Sequence, residues 1–260
     1  MLQFLGIGAQ KSGTTWLYFN FKKHPSIFLT EEKELHFWDW HRDRGLDWYR
    51  AQFAPAPAGT RAGEITPAYG ILDSGKVAEI HREFPDIRLF YLIRNPIERA
   101  WSSALMALPR AEMTIEEASD AWFIDHFNAR GSASRGDYES CLRVWRSHYP
   151  AEQIHVETFD DIVTDPRGVL RRCCAHLGID PAHYDGIPDE SLSTPHNVGS
   201  GHPMRPTLRH YLERMYRPKI DSLAAYLGRD LSRWLDGGAP ALTPRQRLRV
   251  WLSAQAHRYR

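Results

Sequence analysis

Residues 3–15, Gln3-Phe4-Leu5-Gly6-Ile7-Gly8-Ala9-Gln10-Lys11-Ser12-Gly13-Thr14-Thr15, decide the fold. The apolar run 3–7 predicts a buried strand, and 14–23, with Trp16, Leu17 and Phe21 on a helical period, predicts an amphipathic helix directly after it. A glycine-containing turn between strand and helix aims backbone N–H groups and the positive end of a helix dipole at one spot, which makes an anion cradle. Gly8 and Gly13 keep the spacing of a triphosphatase phosphate loop, but Thr14 stands where such an enzyme has lysine. The cation sits inside the loop instead, at Lys11.

Outward from this turn, apolar runs at 88–93, 153–158 and, shorter, 61–65 predict further strands. Helical patterns fall between them at 74–84, 97–108 and 138–148, the last with Leu142, Trp145 and Tyr149 on one face. Strands alternating with helices predict an α/β fold: a single P-loop-like domain over 1–260, with a central parallel sheet flanked by helices. Asp165, Pro166 and Gly178 read as N-cap, first turn and C-terminal stop of another helix. The proline-rich stretch 180–206 predicts a long ordered loop, followed by helices at 207–215 and 218–227. Residues 107–135, with Trp122, Phe123 and Phe127, read as a lid over an acceptor pocket or equally as scaffold. Arg245, Arg247, Arg249, Arg258 and Arg260 mark a basic C-terminal helix over 243–260, a solvated face first and a partner or membrane-surface contact second.

Lys and Arg total 33 against 32 Asp and Glu, a net charge of +1, which disfavours sequence-independent nucleic-acid binding. No stretch approaches the roughly 20 apolar residues of a membrane span. The first residues lack a basic region and a long apolar core, so a cytoplasmic location is expected. Of three cysteines, Cys173 and Cys174 are adjacent, a spacing that strains a mutual disulfide. There is no CxxC or HExxH, and the histidines are scattered, so no metal site is expected.

A magnesium-dependent triphosphatase needs an acid after a second strand, yet the 88–93 run leads into Arg94-Asn95-Pro96. Arg94 at the carboxyl end of a parallel strand, with Ser102 eight residues on, suits a second anion. Two anion sites point to a nucleotide with phosphate at both ends of its ribose. Here the chain resembles the sulfotransferases that use 3′-phosphoadenosine 5′-phosphosulfate (PAPS), especially the branch of heparan sulfate and small bacterial enzymes. Gly8 to Leu17 is similar to their 5′-phosphosulfate loop, and Arg94-Asn95-Pro96-Ile97-Glu98-Arg99-Ala100-Trp101-Ser102 to their 3′-phosphate motif. Lys33-Glu34-Leu35-His36-Phe37-Trp38-Asp39, Gly63-Glu64-Ile65-Thr66-Pro67-Ala68-Tyr69, Arg135-Gly136-Asp137-Tyr138 and Tyr226-Leu227-Gly228-Arg229-Asp230-Leu231 are family-like as well.

The resemblance implies PAPS as co-substrate, adenosine 3′,5′-bisphosphate (PAP) as product and no required metal. It implies nucleotide contacts from Lys11, Ser12, Gly13, Thr14, Thr15, Trp16, Arg94 and Ser102, with Lys11 supporting the leaving group. Acceptor-side positions would be Lys33, Asp39, Glu64, Tyr69 and Tyr138. Candidates for the base are Glu34, His36 and Glu64; the resemblance favours Glu34, with His36 its rival and Glu64 ordering the site. Glu34 is expected to be partly desolvated by Phe37 and Trp38. Two departures stand out. Ile65 replaces a lysine of the heparan-type motif, which weakens a polysaccharide reading, and the loop 198–203 lacks the family's basic residues, leaving Arg205 as the substitute. The family's extracellular-type disulfide is missing here. The expected acceptor is a small-molecule or carrier-bound hydroxyl; oligomeric state leaves no mark on the sequence. The rivals are an atypical P-loop nucleotide kinase, which would need Mg²⁺ and ATP, and a non-catalytic nucleotide-binding protein.

Overall fold

Five strands, β1 (Phe4–Gly8), β2 (Ile27–Leu29), β3 (Arg61–Ile65), β4 (Arg88–Ile93) and β5 (Ile154–Thr158), form the sheet of the computed structural model, which describes residues 1–194 and 201–236. They run parallel in the order β2-β3-β1-β4-β5, with Phe4 opposite both Gly63 and Arg88, and Leu89 opposite Ile154. The near-continuous apolar reading of β1 and β4 is what a parallel sheet covered on both faces demands. The chain leaves β1 for β2 on one side and crosses from β3 to β4 on the other. The carboxyl end of β1 is therefore the switch point at which open α/β sheets bind ligands.

The helices are α1 (Thr14–Phe21), α2 (Gly45–Ala51), α3 (Ser74–Glu83), α4 (Pro96–Ala107), α5 (Asp120–Asn128), α6 (Arg130–Arg135), α7 (Tyr138–Arg146), α8 (Phe159–Thr164), α9 (Pro166–Leu177), α10 (Asp189–Leu192) and α11 (Pro206–Leu227). Their ends follow local chemistry. Asp165 caps α9 by accepting from the Gly168 N–H, Pro166 occupies its first turn, and Gly178 stops it at φ 66°.

The described chain falls into two compact units: the described residues of Met1–Arg94 with Ser140–Asn197, and those of Asn95–Glu139 with Val198–Arg260. The first holds the whole sheet. At its centre Phe4, Phe21 and Phe90 meet edge to face, with centroids 5.7, 5.8 and 5.3 Å apart, which locks α1 onto β1 and β4. Leu17, Leu29, Leu170, Cys173 and Leu177 pack around them. In the second unit α11 packs on α4 and α5, burying Ile97, Phe123, Phe127, Leu208 and Leu212.

Several elements depart from expectation. β2 has three residues, too few for a readable alternation. Pro181–Gly186 forms a 3₁₀ turn and α10 follows it, so the stretch expected as one long loop is partly helical. α11 runs unbroken through Pro218, where two helices were expected. A proline there removes one backbone bond, but Tyr216, Ile220 and Leu223 stay buried on one face and hold the helix together. Residues 107–135 form a 3₁₀ turn (Pro109–Ala111), α5 and α6, with Phe123 and Phe127 inside the second unit. Residues 195–200 of the expected glycine loop and the basic stretch 243–260 lie outside the described residues. Among the described residues no helix is long and apolar enough to cross a membrane.

Acid sensitivity is built into the β5–α9 contact. Burial opposes ionisation of Glu157, but hydrogen bonds from His155 and Arg172 outweigh it and hold the carboxyl down to about 2. Burial and the neighbouring charges of His155 and Arg88 push His176 down to about 4. Both groups bind protons more readily when unfolded. His176 therefore contributes stability above its ordinary 6.5 that is lost as pH falls toward 4, and Glu157 contributes stability above 4.5 that is lost toward 2. Melting temperature is expected to start declining below about pH 6.5 in the native protein. A His176→Gln variant should show a flatter profile between pH 6.5 and 4, read by calorimetry.

Candidate functional site

The turn after β1 is shaped by Gly13, the N-cap of α1, whose φ of 95° suits glycine. A Cβ there would stand 2.9 Å from Ile162 Cδ1 and 3.3 Å from the Phe159 ring, so both side chains would have to give way. Lys11 takes the same left-handed region at φ 67°. Arg94, one residue past β4, brings Nη1 to 3.5 Å from the Lys11 carbonyl oxygen and lays its guanidinium over the Phe159 ring at 4.7 Å. Burial, and then the Arg94 charge, lower the Lys11 pKa from its ordinary value. Among the described residues no carboxylate pairs with the Lys11 ammonium.

Ser12 is fully buried and its Oγ has no hydrogen-bond partner. A buried hydroxyl left unpaired costs about 1–3 kcal/mol, so the loop is short of an acceptor. A phosphate-type anion supplies one, along with the counter-charge that Lys11 lacks. Thr14 is buried and Thr15 half-buried in the first turn of α1, whose N–H groups face the same way. The Trp16 ring turns into the core and its Nε1 donates to the Leu192 carbonyl at 2.5 Å, which makes its side chain an anchor for α1.

The second cluster follows β2. His36 Nδ1 lies 2.9 Å from Asp39 Oδ2, its Nε2 3.6 Å from Glu34 Oε2, and its ring stacks on Trp40 at 3.8 Å and 8°. Lys33 pairs with the other oxygen of Glu34. Glu34 and His36 both have positive φ, 69° and 51°. Of four described non-glycine residues with positive φ, three are Lys11, Glu34 and His36; the fourth is Glu112. Such backbone costs about 1–3 kcal/mol per residue and persists where its surroundings impose it.

Those surroundings are visible. Phe37 and Trp38 are buried, with Phe37 stacked on Tyr49 at 4.4 Å. They anchor the loop from the core, and Glu34 stays half-buried, its side chain 37% exposed. Beneath them Glu64 is fully buried and accepts from Tyr49 Oη at 2.9 Å, Tyr69 Oη at 2.9 Å and Thr66 Oγ1 at 2.6 Å. Tyr69 Oη in turn accepts from the Phe37 N–H at 2.9 Å. Burial raises the Glu64 pKa, its hydrogen-bond donors working against it, and burial and the Glu64 charge raise those of Tyr49 and Tyr69. Glu64 and Tyr69, expected on the acceptor side, are therefore shut away from solvent under the Glu34 loop. Tyr18 Oη, on α1, reaches the Thr30 and Glu31 carbonyls at 2.9 Å and ties this loop to the anion loop.

Three expected residues belong to the second unit. Ser102 is half-buried on α4, and Tyr138 is buried with its ring 6.5 Å from that of Trp234, so Tyr138 offers no surface to an acceptor. Arg205 binds Asp120 at 2.9 Å and the Ile115 carbonyl at 2.7 Å. Tyr49 and Trp40 escaped the sequence reading. Tyr49 looks like an ordinary helix aromatic, and Trp40, next to a histidine-containing motif and 67% exposed, was detectable only through its position.

A glycine turn at the sheet's switch point, carrying an ammonium unpaired among the described residues, together with a histidine–carboxylate loop after the edge strand β2, defines a class of nucleotide-dependent group-transfer proteins. The family model described as a sulfotransferase domain matches residues 3–194, and the chain belongs to that family. It is 29% identical over 249 residues to mouse heparan sulfate glucosamine 3-O-sulfotransferase 3B1, covering 86% of this chain and 63% of that one. The chain thus spans less than two thirds of the length of that curated relative. A sulfotransferase structure from Alicyclobacillus acidocaldarius superposes with a TM-score of 0.71 at 25% identity, covering 90% and 98% of the two chains. Mouse sulfotransferase SULT7A1, solved with PAP, shares the fold at a TM-score of 0.56 and 16% identity, covering 87% and 88%.

Replacing Gly13 with alanine forces a side chain into a left-handed turn against Ile162. A strain of about 1–3 kcal/mol displaced into the loop should weaken PAP binding roughly tenfold or more. Titration calorimetry checks this, with far-UV circular dichroism expected to stay native.

Proposed function

We propose that this protein transfers a sulfuryl group from PAPS to a hydroxyl of a small-molecule or carrier-bound acceptor and releases PAP. The observation that carries the reading is the Lys11 ammonium, half-buried beside Arg94 without a carboxylate, in a loop whose buried Ser12 hydroxyl lacks an acceptor. PAPS supplies a sulfuryl group already activated for departure. Lys11, Ser12 and the first turn of α1 would hold its 5′ end, and Arg94 its 3′-phosphate.

On the acceptor side, Asp39 accepts a hydrogen bond from His36 Nδ1–H, which fixes the tautomer and turns Nε2 toward Glu34. Glu34 is the general base: its carboxylate accepts the proton of the attacking hydroxyl while His36 orients that hydroxyl. Lys11 neutralises the charge that grows on the departing bisphosphate. Side-chain cations and backbone donors serve here in the place that a kinase gives to Mg²⁺.

A small or carrier-bound acceptor is supported by the near-zero net charge and by Ile65, which is buried against Gly6 where the heparan-type motif has lysine. A cytoplasmic setting belongs to the same proposal and is supported by three buried free thiols. Incubation with labelled PAPS and a metabolite extract tests the reading and names the acceptor. Glu34→Ala is expected to lower kcat about 10²- to 10⁴-fold while leaving PAP affinity within about twofold, measured by stopped transfer assays and calorimetry. Equal loss of both would move Glu34 from chemistry to folding, and ATP turnover dependent on Mg²⁺ would point to a kinase.

A further inference from the structure

The loop that carries Glu34 and His36 is strained at both residues, and the groups that impose the strain form one buried network. Phe37, next to His36, gives its N–H to Tyr69 Oη at 2.9 Å, which in turn donates to Glu64 at 2.9 Å. Trp38 N–H reaches the same Tyr69 oxygen at 3.4 Å. Tyr49 and Thr66 complete the set of donors, so every bond made to Glu64 requires an oxygen that accepts. A carboxylate with no solvent access has no other visible employment: it forms no ion pair among the described residues and touches no surface.

We infer that Glu64 is a positioning residue for the transfer reaction: through Tyr69 its carboxylate holds the Phe37 and Trp38 amides and so sets the backbone from which His36 and Glu34 project. This rests on the proposed roles of Glu34 and His36. Glu64 does not meet the acceptor. Tyr69 is its relay to the Phe37 amide, and Tyr49 and Thr66 hold the carboxylate in plane. Charge-assisted bonds of this kind are the strong ones, and a single misdirected donor breaks the set.

Glu64→Gln keeps the shape but replaces an accepting oxygen with an NH₂ group that faces a donor. Hydrogen exchange is the first readout. Amides of Phe37 and Trp38 should exchange at least about tenfold faster in the variant, while those of β1 and β4 stay as in the native protein. The second readout is kinetic: kcat for sulfuryl transfer should fall about 10- to 100-fold with the KM for PAPS and the affinity for PAP nearly unchanged. Tyr69→Phe removes the relay oxygen and should reproduce both effects; should Glu64→Gln fail to fold, Tyr69→Phe must still speed Phe37 exchange relative to β1. Native exchange at Phe37 and Trp38 in these variants overturns the inference, as does a loss of PAP affinity in step with activity. If the native protein transfers no sulfuryl group, the exchange arm still reads the clamp, so failure of the proposed function is told apart from failure of the inference.

Discussion

Placing the Lys11 ammonium next to the Arg94 guanidinium is unfavourable twice over, once through lost hydration and once through repulsion. The fold accepts this cost because the two residues are fixed by separate strands. Lys11 follows β1, Arg94 ends β4, and the Phe4–Phe21–Phe90 cluster prevents α1 from drifting away. The energy withheld from the unliganded state becomes available to an anion that enters. The loop's place follows from sheet order: β1 is the central strand, the chain leaves it in one direction and returns on its other side as β4, so the carboxyl end of β1 can gather charge from a neighbour beyond the crossover.

A second consequence is division of labour along the same sheet edge. The strands nearest the centre supply cations, while the segment after the edge strand β2 supplies the carboxylate and imidazole. Glu64 stands at the junction, following the register of β3 beside β1, with Ile65 opposite Gly6. The tie from Tyr18 to Thr30 and Glu31 links the two halves without any charged group. Positive charge remains concentrated on one side and proton-accepting groups on the other, an arrangement suited to transfer between an anionic donor and a neutral hydroxyl.

The anion loop was legible in the sequence because its information is local: two glycines, one lysine and an amphipathic run within fifteen residues. The strand 88–93 was equally plain, being apolar and bounded by turn residues, whereas 61–65 carries Arg61 and Glu64 and gave only a weak signal. β2 escaped because three residues carry no period. The continuity of α11 through Pro218 escaped because tertiary burial overruled a local breaker. Sequence also placed Glu64, Tyr69 and Tyr138 near chemistry without telling their burial, which depends on partners such as Tyr49 brought in from another helix. The resemblance located the Glu34 motif, but the left-handed backbone at Glu34 and His36 belongs to three-dimensional packing alone.

Cys173 and Cys174 sit side by side inside α9, both buried; burial raises the Cys174 thiol to about 12 and drives Cys173 upward too. Thiolate, the reactive form, is almost absent from the native state. A thiol-directed dye would then reach Cys173 and Cys174 only when α9 peels from the sheet, so this pair is a gauge of transient opening of that helix.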